Sequence, residues 1–144
     1  MRGLALVFVL AACNSPGYDP ANPGRVSCGC NSDDCYEAAA RLDAKGETAE
    51  NGEQLLYYAQ CACFDGSTGG CNTVSHFAKD HVAACKADKN VRDSCAIAGF
   101  VYRHGVQVPK FNGRSFDRDP VASSAAFGKA CSAGAQIACS YAHP

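Results

Sequence analysis

The sequence predicts an all-α fold, a short α-solenoid of αα-hairpin repeats stapled by disulfide bonds. Two observations lead to this prediction. Alanine is the most frequent residue, and no stretch alternates apolar and polar residues as a half-buried strand would. The chain also holds 11 cysteines, most of them in a recurring unit: a helix that ends in Ala-Cys, a short turn, and a second cysteine at the start of the next helix.

The recurring unit emerges when two stretches of equal length are aligned without a gap. Residues 55–71 and 123–139 share an alanine, two cysteines and a glycine at the same positions. The matched pairs are Ala62 with Ala130, Cys63 with Cys131, Gly66 with Gly134, and Cys71 with Cys139. A third copy begins at Ala84-Cys85 and ends at Cys95, with a slightly longer interval between its cysteines. Internal repeats of this kind are typical of stacked helical hairpins.

The spacing of the cysteines in each unit predicts one disulfide per unit. A tight helix-turn-helix brings the two residues within the roughly 4.4–6.8 Å Cα separation that a bridge requires. Closing a loop of about ten residues contributes about 2–3 kcal/mol in the chain-entropy description. The three expected bridges are Cys63–Cys71, Cys85–Cys95 and Cys131–Cys139.

The remaining cysteines of the folded part leave the pairing open. Cys28, Cys30, Cys35 and Cys61 allow three pairings. A bridge between Cys35 and Cys61 would force the other two into a strained ring. We therefore expect Cys61 to pair with Cys28 or Cys30.

The helices are placed in order by their start and stop signals. The first is expected at about 33–45, with Ser32 or Asp33 as its N-cap. The second begins near Asn51, which forms a capping-box-like pair with Gln54, and runs toward Cys63. The later helices are expected at about 73–86, at about 94–104, from Asp119-Pro120 to about 131, and from about 136. An N-cap aspartate followed by proline is the clearest start signal among these.

The N-terminal residues predict export and lipid anchoring. Residues 1–12 have the plan of a signal peptide, because Arg2 precedes the apolar run Leu4–Ala12, which is shorter than the roughly 17 residues needed to span a bilayer. The run ends in Leu-Ala-Ala before Cys13 and resembles a bacterial lipobox, which implies cleavage before Cys13 and a diacylglycerol on its thiol. Residues 13–27, rich in proline and glycine, are expected to form the lipidated cysteine and a flexible tether to the domain at 28–144.

The cysteine count supports the same compartment. Of 11 cysteines, removal of Cys13 for the lipid leaves an even set. An even set in an exported chain is typical of a disulfide framework, whereas the same residues in a reducing compartment would suggest metal binding. A zinc site of Cys28, Cys30, Cys35 and Cys61 is therefore the metal-binding alternative.

The C-terminal stretch FGKACSAGAQIACSYA resembles a repeat junction of the Sel-like, tetratricopeptide-related family, and within it the cysteine-rich protein branch. The matched residues ahead of it are Tyr102, Gly105, Val106 and Asp119. The resemblance covers about residues 55–142 and implies αα-hairpins that carry one cysteine pair each. Two features depart from the family: the segment from 106 to 119 is longer, and the interval from 71 to 85 has room for one helix.

Composition and motifs favour binding over catalysis. Thirteen basic against 14 acidic residues leave no basic surface for nucleic acid. No nucleophile elbow and no P-loop is present, so no catalytic residue and no cofactor is assigned. The resemblance implies one enzymatic alternative, a weak hydrolase of β-lactams or peptidoglycan fragments, but none of the motifs of serine β-lactamases occurs. The expected function is a lipid-anchored, non-catalytic module that binds a protein or peptide in the cell envelope and contacts the membrane through the lipid on Cys13.

One group of residues is a candidate for contacts with a ligand. The long segment 105–118 carries Phe111, Arg114 and Phe116, apolar and basic groups together on a loop; the alternative is a loop folded over its own phenylalanines. His76 and Asp80 lie one helical turn apart and are expected to be an ordinary exposed pair on a helix face; a metal or catalytic role is the alternative.

Overall fold

The computed structural model describes residue 28, residues 31–108 and residues 115–142. The described residues form six helices, and no strand is found among them. The helices are α1 (Ser32–Ala44), α2 (Gly52–Phe64), α3 (Thr68–Lys86), α4 (Val91–His104), α5 (Pro120–Ser132) and α6 (Gln136–Cys139). None of these helices is long and apolar enough to cross a membrane.

The helices stack in chain order, as the predicted α-solenoid requires. Each helix packs chiefly against the helices that precede and follow it, with smaller contacts between α2 and α4. The core between the layers is built from Leu55, Phe77, Ile97, Phe100 and Phe127, all of which are buried. The stack therefore buries its apolar residues between neighbouring hairpins, and the outer faces of the helices stay exposed.

Disulfides crosslink consecutive helices, and the three predicted bridges are confirmed. They are Cys63–Cys71, Cys85–Cys95 and Cys131–Cys139, with Cα separations of 4.3, 4.7 and 4.7 Å. The first cysteine of each pair is the penultimate residue of its helix. A fourth bridge joins Cys28 to Cys61, one of the two partners expected for Cys61. Cys35 is fully buried beside Cys61, whereas Cys30 lies outside the described residues.

The turn after each of these cysteines has one shared geometry. In the first unit the N–H of Ser67 donates to the carbonyl of Ala62, and the N–H of Gly66 donates to that of Cys63. The same two bonds recur after Cys85 and after Cys131. This pair of bonds is the Schellman motif, which requires a left-handed residue after the helix. That residue is Gly66, Asp88 or Gly134, with φ of 99°, 53° and 95°.

The N-terminal ends of α1, α2 and α3 differ from the predicted ones in their capping interactions. The N-cap of α1 is Asn31, not Ser32 or Asp33, because its Oδ1 accepts from the N–H of Asp34. Helix α3 begins at Thr68, well before the predicted start near 73, because the Oγ of Ser67 accepts from the N–H of Gly70. The expected capping box at Asn51 is wrong, since the side chain of Asn51 makes no capping hydrogen bond.

Of the two later helix starts, that of α4 differs from the prediction and that of α5 agrees with it. Helix α4 begins at Val91, ahead of the predicted start near 94, and its N-cap Asn90 is left-handed with φ of 45°. The signal at Asp119-Pro120 is confirmed, because the Oδ1 of Asp119 accepts from the N–H of Ala122 at 2.9 Å and Pro120 opens α5.

Helices α4 and α5 have the most extensive contact in the stack, although none of the described disulfides joins them. The ring of Phe127 lies against the backbone of Gly99, where an added Cβ would meet the ring at 2.6 Å. The hydroxyl of Ser123 donates to the carbonyl of Gly99 at 2.8 Å. Phe127 also packs edge-to-face against Phe100. Close packing around one glycine holds this pair of helices together.

Candidate functional site

The segment between α4 and α5 folds back on itself at its base. Val106 and Phe116 exchange two backbone hydrogen bonds of 2.8 Å in an antiparallel bridge. Gln60, buried on α2, binds the backbone N–H and carbonyl of Gln107 at 3.1 and 2.7 Å. The N–H of Asp119 donates to the carbonyl of Tyr102. The base of this segment is therefore part of the packed domain.

One of the three predicted ligand residues is placed by the structure. Phe116 is half-buried and packs edge-to-face against Tyr102, with ring centroids 6.4 Å apart. Phe111 and Arg114 lie outside the described residues. The cleft beside Phe116 has a volume of only about 80 Å³, whereas ligand sites are roughly 300–1,000 Å³. The described part of this segment can hold water molecules but not a ligand of ordinary size.

A larger cleft of about 310 Å³ opens between the end of α1 and the exposed face of α3. Helix α3 supplies one wall through Asn72, His76 and Asp80, which recur at intervals of one helical turn. Asp43 and Glu47 form the other wall. The remaining lining residues are Thr73 and Phe77. We call this feature the acidic cleft, because three of its seven residues carry carboxylates.

A buried histidine, His81, contacts two residues that line the acidic cleft, Glu47 and Phe77. His81 lies between Ser94 of α4, at 3.1 Å from Nδ1, and Glu47, at 3.0 Å from Nε2. The ring of Phe77 packs edge-to-face on the imidazole, with centroids 4.8 Å apart. His76 and Asp80 are exposed, as predicted, whereas the adjacent His81 faces the core.

The trio of Ser94, His81 and Glu47 has the residue types of a hydrolytic triad, but its geometry is structural. Only 2% of the surface of Ser94 is exposed, so its hydroxyl is out of reach of a substrate. The serine also contacts Nδ1 and the carboxylate contacts Nε2, the reverse of the arrangement in serine proteases. The trio ties α3 to α4 and holds Glu47 at the rim of the acidic cleft.

The carboxylates of the acidic cleft influence each other. Burial raises the pKa of Glu47, and His81 opposes this increase by attracting the ionised form. The neighbouring carboxyl of Asp43 raises the pKa of Glu47 further, because two like charges close together disfavour ionisation. A positive charge in the cleft would relieve this repulsion.

Outside the acidic cleft, several surface carboxylates are paired with basic side chains. Arg41 binds Glu37 at 3.0 Å, and Lys129 binds Asp88 at 2.8 Å. Arg92 binds both Glu50 and Asp93. In the part of the chain that the structure describes, no lysine or arginine forms an ion pair with Asp43, Glu47 or Asp80. Of the three cleft carboxylates, Glu47 pairs with His81, whereas Asp43 and Asp80 form no ion pair within the described residues.

The residues of the zinc alternative do not form a ligand set. Cys28 and Cys61 are joined in a disulfide, so neither sulfur is a thiolate ligand. Among the residues with described positions, no group of three or more histidine, cysteine, aspartate or glutamate side chains is arranged to hold a metal ion.

Comparisons with known proteins add no family to these observations: no family model, no curated protein and no solved structure matches the chain.

Proposed function

We propose that this protein is an exported, lipid-anchored, non-catalytic module that binds a protein or peptide in the bacterial cell envelope. The observation that carries the proposal is the acidic cleft, an open site of about 310 Å³ on a stack of crosslinked helices. Stacked helical hairpins present extended surfaces to such partners, and a scaffold held by disulfides loses little conformational entropy when it binds.

The anchoring part of the proposal is supported by the N-terminal sequence and by the bridges. The lipobox-like residues before Cys13 and the residues of the tether, 13–27, lie outside the described residues. Four cysteine pairs at bonding distance suit an oxidising compartment. The bridge from Cys28 to Cys61 would attach the C-terminal end of the tether directly to α2. The kinship with Sel-like cysteine-rich proteins, which rests on the repeat motif, belongs to the same proposal.

Site-specific photo-crosslinking in bacterial cells tests this function. A photoreactive residue at position 72, on the wall of the acidic cleft, is expected to yield a discrete adduct with an envelope protein. The control position is Ala125, an exposed residue on α5, which does not line the cleft. The same adduct from both positions, or none from position 72, would overturn the proposal.

A hydrolase assay tests the part of the proposal that describes the module as non-catalytic. The buried position of Ser94 predicts no turnover of a chromogenic β-lactam above that of an unfolded variant in which the bridged cysteines are serine. Faster turnover by the folded protein, if abolished by Ser94→Ala, would instead make the trio around His81 an active site.

A further inference from the structure

We propose that one end of the helical stack contacts the membrane directly, as a second attachment beside the lipid on Cys13. This inference rests on the proposed function, because it needs the lipid anchor. It names the partner of the end concerned, a zwitterionic lipid surface. The observations that carry it are the positions of the exposed apolar side chains and the point at which the tether joins the domain.

Three large hydrophobic side chains are exposed among the described residues. They are Tyr36, with 41% of its surface exposed, Phe64, with 45%, and Val121, with 80%. Tyr36 lies near the start of α1, Phe64 is the last residue of α2, and Val121 is the second residue of α5. Single exposed apolar residues need no explanation, but several in one region mark a surface for a partner or a membrane.

The contacts between helices place the first two of these side chains at the same end of the stack. The ring of Tyr36 lies against Gly69 at the start of α3, where an added Cβ would meet the ring at 2.9 Å. The bridge between Cys63 and Cys71 brings the end of α2 to the start of α3 as well. The start of α1 and the end of α2 therefore lie side by side.

The end of α4 and the start of α5 complete this end of the stack. Phe64 lines a small cleft together with His104, the last residue of α4. The N–H of Asp119, the N-cap of α5, donates to the carbonyl of Tyr102 in the last turn of α4. Val121 therefore lies at the same end of the stack as Phe64.

The tether joins the domain at this end too. Cys28 is bridged to Cys61, which lies about one helical turn before Phe64 on α2. We therefore call the surface formed by Tyr36, Phe64 and Val121 the tether end. The sequence that precedes Cys28 leads from the tether end toward the proposed lipid anchor.

The length of the tether keeps the tether end close to the bilayer. Fourteen residues separate Cys13 from Cys28. A chain of this length spans at most about 50 Å when fully extended, and a flexible linker of this length spans roughly 20 Å on average. A bilayer held within that distance has a high effective concentration, so that a contact too weak to bind free vesicles is still formed.

The opposite end of the stack has a different character. It holds the end of α3 and the start of α4, with Lys86, Asp88 and Lys89 exposed. Among the described residues, no large hydrophobic side chain is exposed there. The two ends therefore differ as expected of a domain that faces a bilayer at one end and water at the other.

The charges of the tether end determine which kind of lipid it can approach. Within three residues of its apolar side chains, the sequence has five carboxylates and one basic side chain. The carboxylates are Asp33, Asp34, Glu37, Asp65 and Asp119, and the basic residue is Arg118. This excess repels anionic headgroups, whereas zwitterionic headgroups carry no net charge. Exposed aromatic rings are typical of the headgroup level of a bilayer.

Tryptophan fluorescence tests the proposal on the full-length, lipidated protein, because the natural chain contains no tryptophan. Phe64→Trp and Val121→Trp each place one reporter at the tether end. Ala83→Trp places a reporter at an exposed position near the end of α3, away from the tether end. The proteins are purified from bacterial membranes and reconstituted in phosphatidylcholine vesicles whose acyl chains either carry bromine, a short-range quencher, or do not.

Bromination is expected to lower the emission of both tether-end reporters about twofold and to leave that of Ala83→Trp unchanged. Replacing phosphatidylcholine by phosphatidylglycerol should reduce this quenching, because the carboxylates of the tether end repel anionic headgroups. Unfolding curves of the three variants check that the fold is retained.

A charge substitution checks that the natural apolar side chains make the contact. In the Val121→Trp protein, Phe64→Asp is expected to remove most of the quenching, since a charge on this surface opposes entry into the bilayer. Ala83→Asp adds the same charge to the same protein away from the tether end and should leave the quenching unchanged.

The inference is overturned if all three reporters are quenched equally, if none is quenched, if phosphatidylglycerol strengthens the quenching, or if Phe64→Asp leaves it unchanged. The intact mass of the same sample separates its failure from failure of the proposed function. An acyl mass on Cys13 without quenching at position 64 leaves the anchor standing and places the tether end in water. A protein without the acyl mass removes the anchor and this inference with it.

Discussion

The side-chain amide of Gln60 forms two hydrogen bonds with the backbone of Gln107, which lies 47 residues further along the chain. Its Nε2 donates to the carbonyl of Gln107 at 2.7 Å, and its Oε1 accepts from the N–H of the same residue at 3.1 Å. Only 2% of Gln60 is exposed, so neither bond can be replaced by bulk water. One buried amide therefore fixes the base of the long segment to α2.

Gln60→Met keeps the length of this side chain and removes both hydrogen bonds. The backbone groups of Gln107 would lose their partners, and we expect a loss of about 1–3 kcal/mol in the free energy of unfolding. Urea unfolding measures the loss, and faster hydrogen exchange at the amide of Gln107 locates it. The matched control is Gln54→Met on the same helix, at an exposed position, with an expected change within about 0.5 kcal/mol. Equal effects of the two variants would contradict the role of Gln60.

Gly99 and Gly128 form a second matched pair. A Cβ at Gly99 would lie 2.6 Å from the ring of Phe127, whereas a Cβ at Gly128 would meet nothing within 4 Å. Gly99→Ala is therefore expected to destabilise the protein by about 1–3 kcal/mol through overpacking. Gly128→Ala is expected to stabilise it by about 0.5–1 kcal/mol, because alanine is the better helix former. Thermal or urea unfolding distinguishes the two signs, and the same sign for both would contradict the packing at Gly99.

The left-handed turns predict the effect of changes at Asp88. This residue has φ of 53° at the position that glycine occupies in the other two units. Asp88→Gly should therefore stabilise the protein by about 0.5–1 kcal/mol, since its exposed pair with Lys129 contributes little. The converse change, Gly134→Asp, should be destabilising. Urea midpoints measure both changes, and a loss of stability in Asp88→Gly would show that the ion pair outweighs the backbone strain.

Glu47 and Glu50 both lie between α1 and α2, and they predict opposite pH dependences of the free energy of unfolding. Burial raises the pKa of Glu47 in the folded protein above 4.5, although His81 opposes the increase. Its favourable contribution to the free energy of unfolding is therefore present below pH 4.5 and is lost as pH rises through the raised folded-state pKa. The hydrogen bond from Arg92 lowers the pKa of Glu50 below 4.5, so its contribution is present above 4.5 and is lost as pH falls through the folded-state value.

Substitution by glutamine separates these two effects. As pH rises from about 4 to about 7, we expect Glu47→Gln to gain stability relative to the wild type, and Glu50→Gln to lose it. Urea unfolding at a series of pH values measures both differences. Parallel curves for the wild type and both variants would contradict the assigned shifts.

Much of this fold could be predicted because the signals are local. The Ala-Cys repeat predicts three bridges at Cys63, Cys85 and Cys131, since each pair closes one short turn. Asp119-Pro120 predicts the start of α5, because the cap and the proline act within a single turn. The early start of α3 was missed because Thr68-Gly69-Gly70 has low helix propensity, which the cap at Ser67 and the bridge at Cys71 overcome.

The acidic cleft could be predicted only on one side. The helical spacing of His76 and Asp80 indicates a shared face, but nothing in the sequence places Asp43 and Glu47 opposite that face. Those contacts depend on how α1 packs against α2 and α3, and this is a property of the assembled stack. The sequence places His81 on the apolar stripe of α3, and its burial agrees, but its partners Glu47 and Ser94 could not be predicted, because they belong to other parts of the chain.

The decisive measurement is the intact mass of protein purified from bacterial membranes and alkylated without prior reduction. An exported module anchored through Cys13 predicts loss of residues 1–12, an added acyl mass on Cys13 and no alkylated thiol. Peptide mapping should then recover the Cys28–Cys61 bridge, the three bridges of the repeats and a fifth bridge between the two remaining cysteines, Cys30 and Cys35. An uncleaved chain with several alkylated cysteines would contradict the proposal, since it would place the protein in a reducing compartment without its disulfide bonds.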